Sequence, residues 1–315
     1  MNIATHIFIT IVRGVLLTFS YIITYYLRKG LTDMTFKNSA TACIDLTKEV
    51  PYLTFPVLTN ISFLRHGFST RLGGVSSDIF TSMNLGYESS PYLDDPAKVE
   101  ENYRRISKSI GINPHTIVIS KQVHKTNIRL VDEKDCGKGL YKLRDYDEID
   151  GLITNTPGVT LVTKYADCVP LFFVDPIKKA IGLTHSGWRG TVNKIGKITV
   201  QEMKAKFGSN SKDIIAVIGP SICMDCYEIG EEVATEFVNA FSISGDNAII
   251  RQTENGKYQC NLWAANHAVL SEAGLDSDNI HISGVCTSCH SDLLFSHRKT
   301  NGKRGSLAAF LAIKN

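Results

Sequence analysis

The stretch that most restricts this chain is "KYADCVPLFFVDPIKKAIGLTHSGWRGT", Lys164 to Thr191. Two apolar runs, "PLFFVDP" and "AIGLTH", flank a short polar break at Asp175 to Lys179 and predict a tight antiparallel hairpin. With the turn placed there, facing residues have numbers that sum to about 355, so Pro170 pairs with His185. Cys168 then lies just beyond the open end of the same ladder. A thiol and an imidazole therefore become neighbours in space, next to a Gly-rich turn that carries Arg189. A strand giving way to a helix start is also a place where backbone N–H groups favour anions.

Three tasks suit such a pair: a nucleophilic Cys168 activated by His185, a metal site completed by a third residue, or a buried thiol beside a hydrogen-bonded imidazole with no chemistry. The rest of the chain supplies the context. With 315 residues, 43% of them hydrophobic and 21% charged, it can bury a large core. A formal charge of +3, without a long Lys/Arg block, carries no footprint of nucleic-acid binding but suits a small anionic substrate.

Short strand-like runs alternate with amphipathic segments from Leu53 onward. "TIVISKQVHKTNIRLVD" reads as one strand to about His124 and another from Ile128; "GVTLVTK" and "DIIAVIGP" are further strands. "GTVNKIGKITVQEMKAKFG" reads as one helix that stops at Gly208. No internal repeat or linker is apparent, so the expectation is a single mixed α/β domain. Residues 6–27 are apolar apart from Arg13 and precede Arg28-Lys29. They read either as a membrane anchor or as an extension preceding a domain that starts near Val50-Pro51. The expected division is an apolar extension over 1–45 and a catalytic domain over 50–314.

Of the eight cysteines, four form the C-x-x-C pairs "CMDC" and "CTSC". A zinc site built from both, a redox or disulfide role, and ordinary reduced thiols are all open. The interval from Cys226 to Cys286 is far longer than a compact zinc ribbon uses, which makes ordinary thiols the simplest reading.

The blocks "FLRHGFSTRLGGVSSDIFTSMNLG", "QVHKTN", "DEIDGLITNTPGVTLVTKYADCVPLFF", "THSGWRGT", "IGPSICMDCYEIG" and "CTSCHSDLLFSHRKTNGKRGSLAAFL" occur in order between about Val50 and Lys314. Together they resemble the YfiH-like family, also described as multicopper polyphenol oxidoreductase or laccase-domain proteins. The resemblance implies a single-domain α/β sandwich of the YfiH-like type. It also implies a zinc-dependent purine nucleoside phosphorylase that accepts adenosine, inosine, guanosine and methylthioadenosine, with adenosine deaminase activity beside it. The expected partners are purine nucleosides and phosphate, and the expected location is the cytoplasm, with membrane association through residues 6–27 as the alternative.

In that family the metal is held by the His of Q-x-H, the Cys of A-D-C and the His of H-[AS]-G-W-R-G, which are His124, Cys168 and His185 here. Two imidazoles and one thiolate leave a fourth position open, the layout of a catalytic zinc. Asp167, beside Cys168, is a candidate proton carrier or orienting group. Arg71 and Arg189 are candidates for phosphate or ribose oxygens, and Asn84 for the ligand or for capping a turn. His66, His290 and the basic loop Ser296 to Gly305 are read first as ordinary polar surface or core. The zinc nucleobase-deaminase signature H-x-E is absent, because Lys125-Thr126 follows His124.

Copper is the less favoured metal. A multicopper laccase needs on the order of ten histidines, many as H-x-H pairs. This chain has nine histidines and no H-x-H. The alternative function is a Cys–His hydrolase acting on an amide bond.

Overall fold

A computed structural model describes residues 38–89, 92–242 and 248–315. The apolar run 6–27 lies outside them. Among the described residues no helix is long and apolar enough to cross a membrane.

Two six-stranded sheets make up the body of the protein. The first runs, in spatial order, Cys43–Ile44, Tyr52–Thr54, Leu64–Ser69, Leu307–Ile313, Thr160–Tyr165 and Ile117–Ile119. The second runs Ile280–Ile282, Ile215–Ile218, Val169–Asp175, Ala180–Ser186, Gly151–Thr154 and Ile128–Leu130. The strand Cys43–Ile44 pairs Cys43 with Thr54, so the fold begins ahead of the expected start near Val50.

Every residue of the strands Val169–Asp175, Ala180–Ser186 and Leu307–Ile313 is buried. Such unbroken burial requires cover on both faces of a sheet, and it explains why these runs are continuously apolar instead of alternating. One face of each sheet meets the other sheet: the Tyr165 hydroxyl donates to the Thr184 carbonyl at 3.0 Å, and Phe55 packs edge-on against Phe172. The outer face of the first sheet is covered by the helix Pro96–Ile110, whose Val99, Tyr103, Ile106 and Ile110 join Val162, Ala308 and Phe310 in one core. Asp95 caps that helix and Gly111 ends it in the left-handed region. The outer face of the second sheet is covered by the helices Ile195–Phe207 and Leu262–Glu272, through residues such as Met203, Ala265 and Leu270. The result is a four-layered mixed α/β sandwich.

The expected hairpin is present in the expected register, with Pro170 opposite His185 and Val169 opposite Ser186. Two elements differ from the sequence reading. The strand after Thr116 ends at Ile119, and His124 sits on a loop with φ of 64° instead of on a strand. The single expected helix is two, Trp188–Val192 and Ile195–Phe207, divided at Lys194, which adopts φ of 58°. The first of these breaks sets the His124 ring beside His185.

Candidate metal centre

Two chain crossings and one strand end meet at one corner of the sandwich. Residues 120–127 carry the chain from Ile117–Ile119 of the first sheet to Ile128–Leu130 of the second, and His124 stands on this loop. Residues 166–168 make a second crossing, from Thr160–Tyr165 to Val169–Asp175, and Cys168 ends it. His185 projects from the adjacent strand, next to the turn at Gly187.

The ligand atoms of His124, Cys168 and His185 all lie within 4.8 Å of one another. Cys168 Sγ is 4.0 Å from His124 Nε2, and the two imidazoles meet edge-on with centroids 4.9 Å apart. Exposure is graded: His185 is buried, Cys168 half-buried and His124 exposed. The corner therefore opens to solvent on the His124 side. Gly187 completes the packing, because a Cβ there would come within 2.8 Å of the His124 ring and 3.2 Å of Cys168 Sγ.

Asp150, which sequence reasoning did not single out, organises the corner. Its carboxylate lies 2.8 Å from His185 Nδ1 and accepts the backbone N–H groups of Val123, His124 and Lys125 at 2.9–3.0 Å. Its own carbonyl accepts the His185 N–H at 2.7 Å. Burial opposes ionisation of this carboxyl, but His185 and the loop N–H groups outweigh burial and hold it below the usual carboxylate range. One buried carboxylate thus positions two imidazoles. The pairing of Gly151 with Thr184 in the folded sheet puts Asp150 beside His185.

Burial also works against ionising Cys168, yet His185 and His124 pull its thiol down to about 6. Burial would lower His185 too, but Cys168 and Asp150 raise it to about 9. An easily ionised thiol and an imidazole whose Nδ1 is bound to a carboxylate, leaving Nε2 for a ligand, are the donor chemistry a zinc-type cation requires.

The other sequence candidates are placed as follows. Asp167 is buried in a left-handed conformation, φ 85°, and its carboxylate accepts the Thr287 hydroxyl at 2.6 Å and the Arg298 N–H at 2.7 Å. Asn84 is buried with four bonds, from its amide to Gly86 and Asp94 and to its oxygen from Gly86 and Ser306. The Arg71 guanidinium donates to the carbonyls of Thr81 and Ser291 and lies over the Phe295 ring. Arg189 is exposed, with its guanidinium 4.2 Å from the centroid of the Trp188 ring. A further arginine, Arg304, has its Nε buried without a partner among the described residues; burial lowers its guanidinium below the ordinary range, against the opposing pull of Asp167 and Cys168. His66 accepts the Phe55 N–H at 2.9 Å inside the core, and burial pushes it down to about 4.

Among the described residues, only one other group of side chains gathers in this way, Cys223, Cys226, Cys286 and Cys289. Nowhere among those residues do histidines assemble in the numbers a blue-copper site with a trinuclear cluster needs.

Comparison with known proteins agrees with this architecture. The chain is 39% identical over 252 residues to purine nucleoside phosphorylase YlmD of Bacillus subtilis, covering 79% of this chain and 88% of that one. It is 33% identical to adenosine deaminase RL5 of an unknown prokaryotic organism, over 74% of this chain and 87% of that one. The crystal structure of the hypothetical protein YfiH of Bacillus licheniformis superposes with a TM-score of 0.79 at 30% identity, covering 86% of this chain and 99% of that one. Residues 65–314 match the family model described as multi-copper polyphenol oxidoreductase laccase. By sequence match and fold together, and in spite of the copper in its description, that is the family to which this chain belongs.

Proposed function

We propose that this chain is a zinc-dependent purine nucleoside phosphorylase, acting on adenosine, inosine, guanosine and methylthioadenosine, with adenosine deamination as a second activity. The observation that carries the reading is the convergence of His124, Cys168 and His185 at a solvent-open corner under the control of Asp150. A relative named purine nucleoside phosphorylase and another named adenosine deaminase support it.

Two imidazoles and one thiolate would hold zinc with a position left open, where the ion supplies Lewis acidity to a bound water or substrate atom. The chain's own groups supply the rest. Asp150 keeps the proton of His185 on Nδ1 and so directs the Nε2 lone pair into the corner. In phosphorolysis the bond from C1′ to the base breaks as a phosphate oxygen bonds to C1′, through a sugar with oxocarbenium character. Arg189, with no carboxylate paired to it among the described residues, and Arg304, with its buried Nε–H, are the guanidinium groups for the phosphate. Arg71, Asn84 and Asp167 spend their polar atoms on the loops, so their part is to position these groups. Eight cysteines, all free, suit a reducing compartment and so support a cytoplasmic location.

The test is adenine release from adenosine by the purified zinc-loaded protein. Release that needs phosphate and yields ribose 1-phosphate is expected. Release indifferent to phosphate, or none with any of the four nucleosides, overturns the reading.

One observation favours a second reading. Cys168, His185 and Asp150 are also linked as thiol, imidazole and carboxylate, the constellation of a Cys–His hydrolase for amides. Amide hydrolysis by metal-free protein that survives His124→Ala would establish it.

A further inference from the structure

The two C-x-x-C pairs come together although about sixty residues part them. The strands Ile215–Ile218 and Ile280–Ile282 are parallel neighbours, and Ser221 and Cys286 extend the same pairing beyond their ends. A parallel pair demands a long crossover, here the segment holding the helices Glu231–Phe241 and Leu262–Glu272. Each C-x-x-C thus sits on the turn that leaves one of two adjacent strands at the same end.

The four Sγ atoms lie within 4.8 Å of one another. Cys223 and Cys226 approach Cys289 to 3.9 and 3.6 Å. Four sulfurs around a tetrahedral zinc at about 2.3 Å stand about 3.8 Å apart, so these separations fit a shared cation. They are too long for a sulfur–sulfur bond of about 2.05 Å. The backbone is also prepared for thiolate: Cys286 Sγ accepts the N–H groups of Cys223 at 3.2 Å and Cys289 at 3.4 Å. N–H groups aimed at a sulfur stabilise its anionic form, as do the partners that orient ligands in built metal sites.

We propose that Cys223, Cys226, Cys286 and Cys289 bind one zinc ion as four thiolates, each thiol releasing its proton on binding. With all four positions filled by protein this site is closed, and its role is to clamp the two turns together. Those turns hold the corner where Cys168 lies: the Ile222 N–H donates to the Asp167 carbonyl at 3.0 Å, and the Thr287 hydroxyl donates to the Asp167 carboxylate. The inference stands apart from the proposed nucleoside activity.

The test is metal analysis of full-length protein purified under reducing conditions, with thiols counted by mass. Wild type is expected to hold about two zinc equivalents, and Cys168→Ala and Cys226→Ser about one each. Cobalt replacing zinc in Cys168→Ala should give the intense sulfur-to-metal bands of a tetrahedral four-thiolate centre. If Cys226→Ser fails to fold, the Cys168→Ala protein decides alone. A Cys168→Ala protein without metal, or one in which these cysteines are joined as disulfides, overturns the proposal.

Discussion

The two sulfur-bearing corners of this protein are built from opposite ingredients. At one, a single thiol is joined by two imidazoles, and the chain reaches the site by crossing between sheets. At the other, four thiols meet on two turns at the end of adjacent strands of one sheet. Three protein donors leave room for a reactant, whereas four leave none. The contrast teaches that the number of donors a fold delivers to a point, more than the presence of cysteine, separates a place for chemistry from a fastening.

The strongest way to break this comparison is His124→Ala. Phosphorolysis should fall by more than about 100-fold, beyond the 10–100-fold that loss of a ligand-orienting partner costs, while the four-thiol corner keeps its metal. Nucleoside turnover measured beside metal content checks both halves. Asp150→Asn should follow with a loss of about 10- to 100-fold in activity or metal affinity, because an amide no longer fixes His185 as a carboxylate does. A zinc titration of the variant reads this directly.

Thr287→Val probes the link between the corners. Removing a hydroxyl that donates to a buried carboxylate should cost about 2 kcal/mol of stability, seen in denaturant unfolding, with a smaller loss of activity than Asp150→Asn. The mildest test changes only pH. In metal-stripped protein the thiolate of Cys168 is present above about 6, so its alkylation rate should stay high at neutral pH and fall as pH drops through that value. Cys260, which burial pushes well above the ordinary thiol range, should stay unreactive throughout.

Much of the candidate metal corner was legible in the residues themselves. The hairpin register followed from the polar break at Asp175 to Lys179, because a short turn leaves an antiparallel pair few registers to choose from. Asp150 was hidden because its importance arises from a neighbouring strand and from loop N–H groups, which no local pattern encodes. The sequence reads as strand to about His124, whereas the strand ends at Ile119. The left-handed backbone of His124 is held by Asp150, far away in sequence. The meeting of the four cysteines was hidden by their distance along the chain. A parallel strand pair makes such distance irrelevant, since its crossover absorbs the intervening residues.

The position of Leu307–Ile313 in the middle of the first sheet has a consequence for biosynthesis. Until that segment leaves the ribosome, Leu64–Ser69 and Thr160–Tyr165 each present a bare hydrogen-bonding edge to the cell, and the nascent chain must be kept from pairing with others. Closure of the sheet is therefore a late event, and a stop codon ahead of residue 307 would leave its two halves without the strand that pairs them.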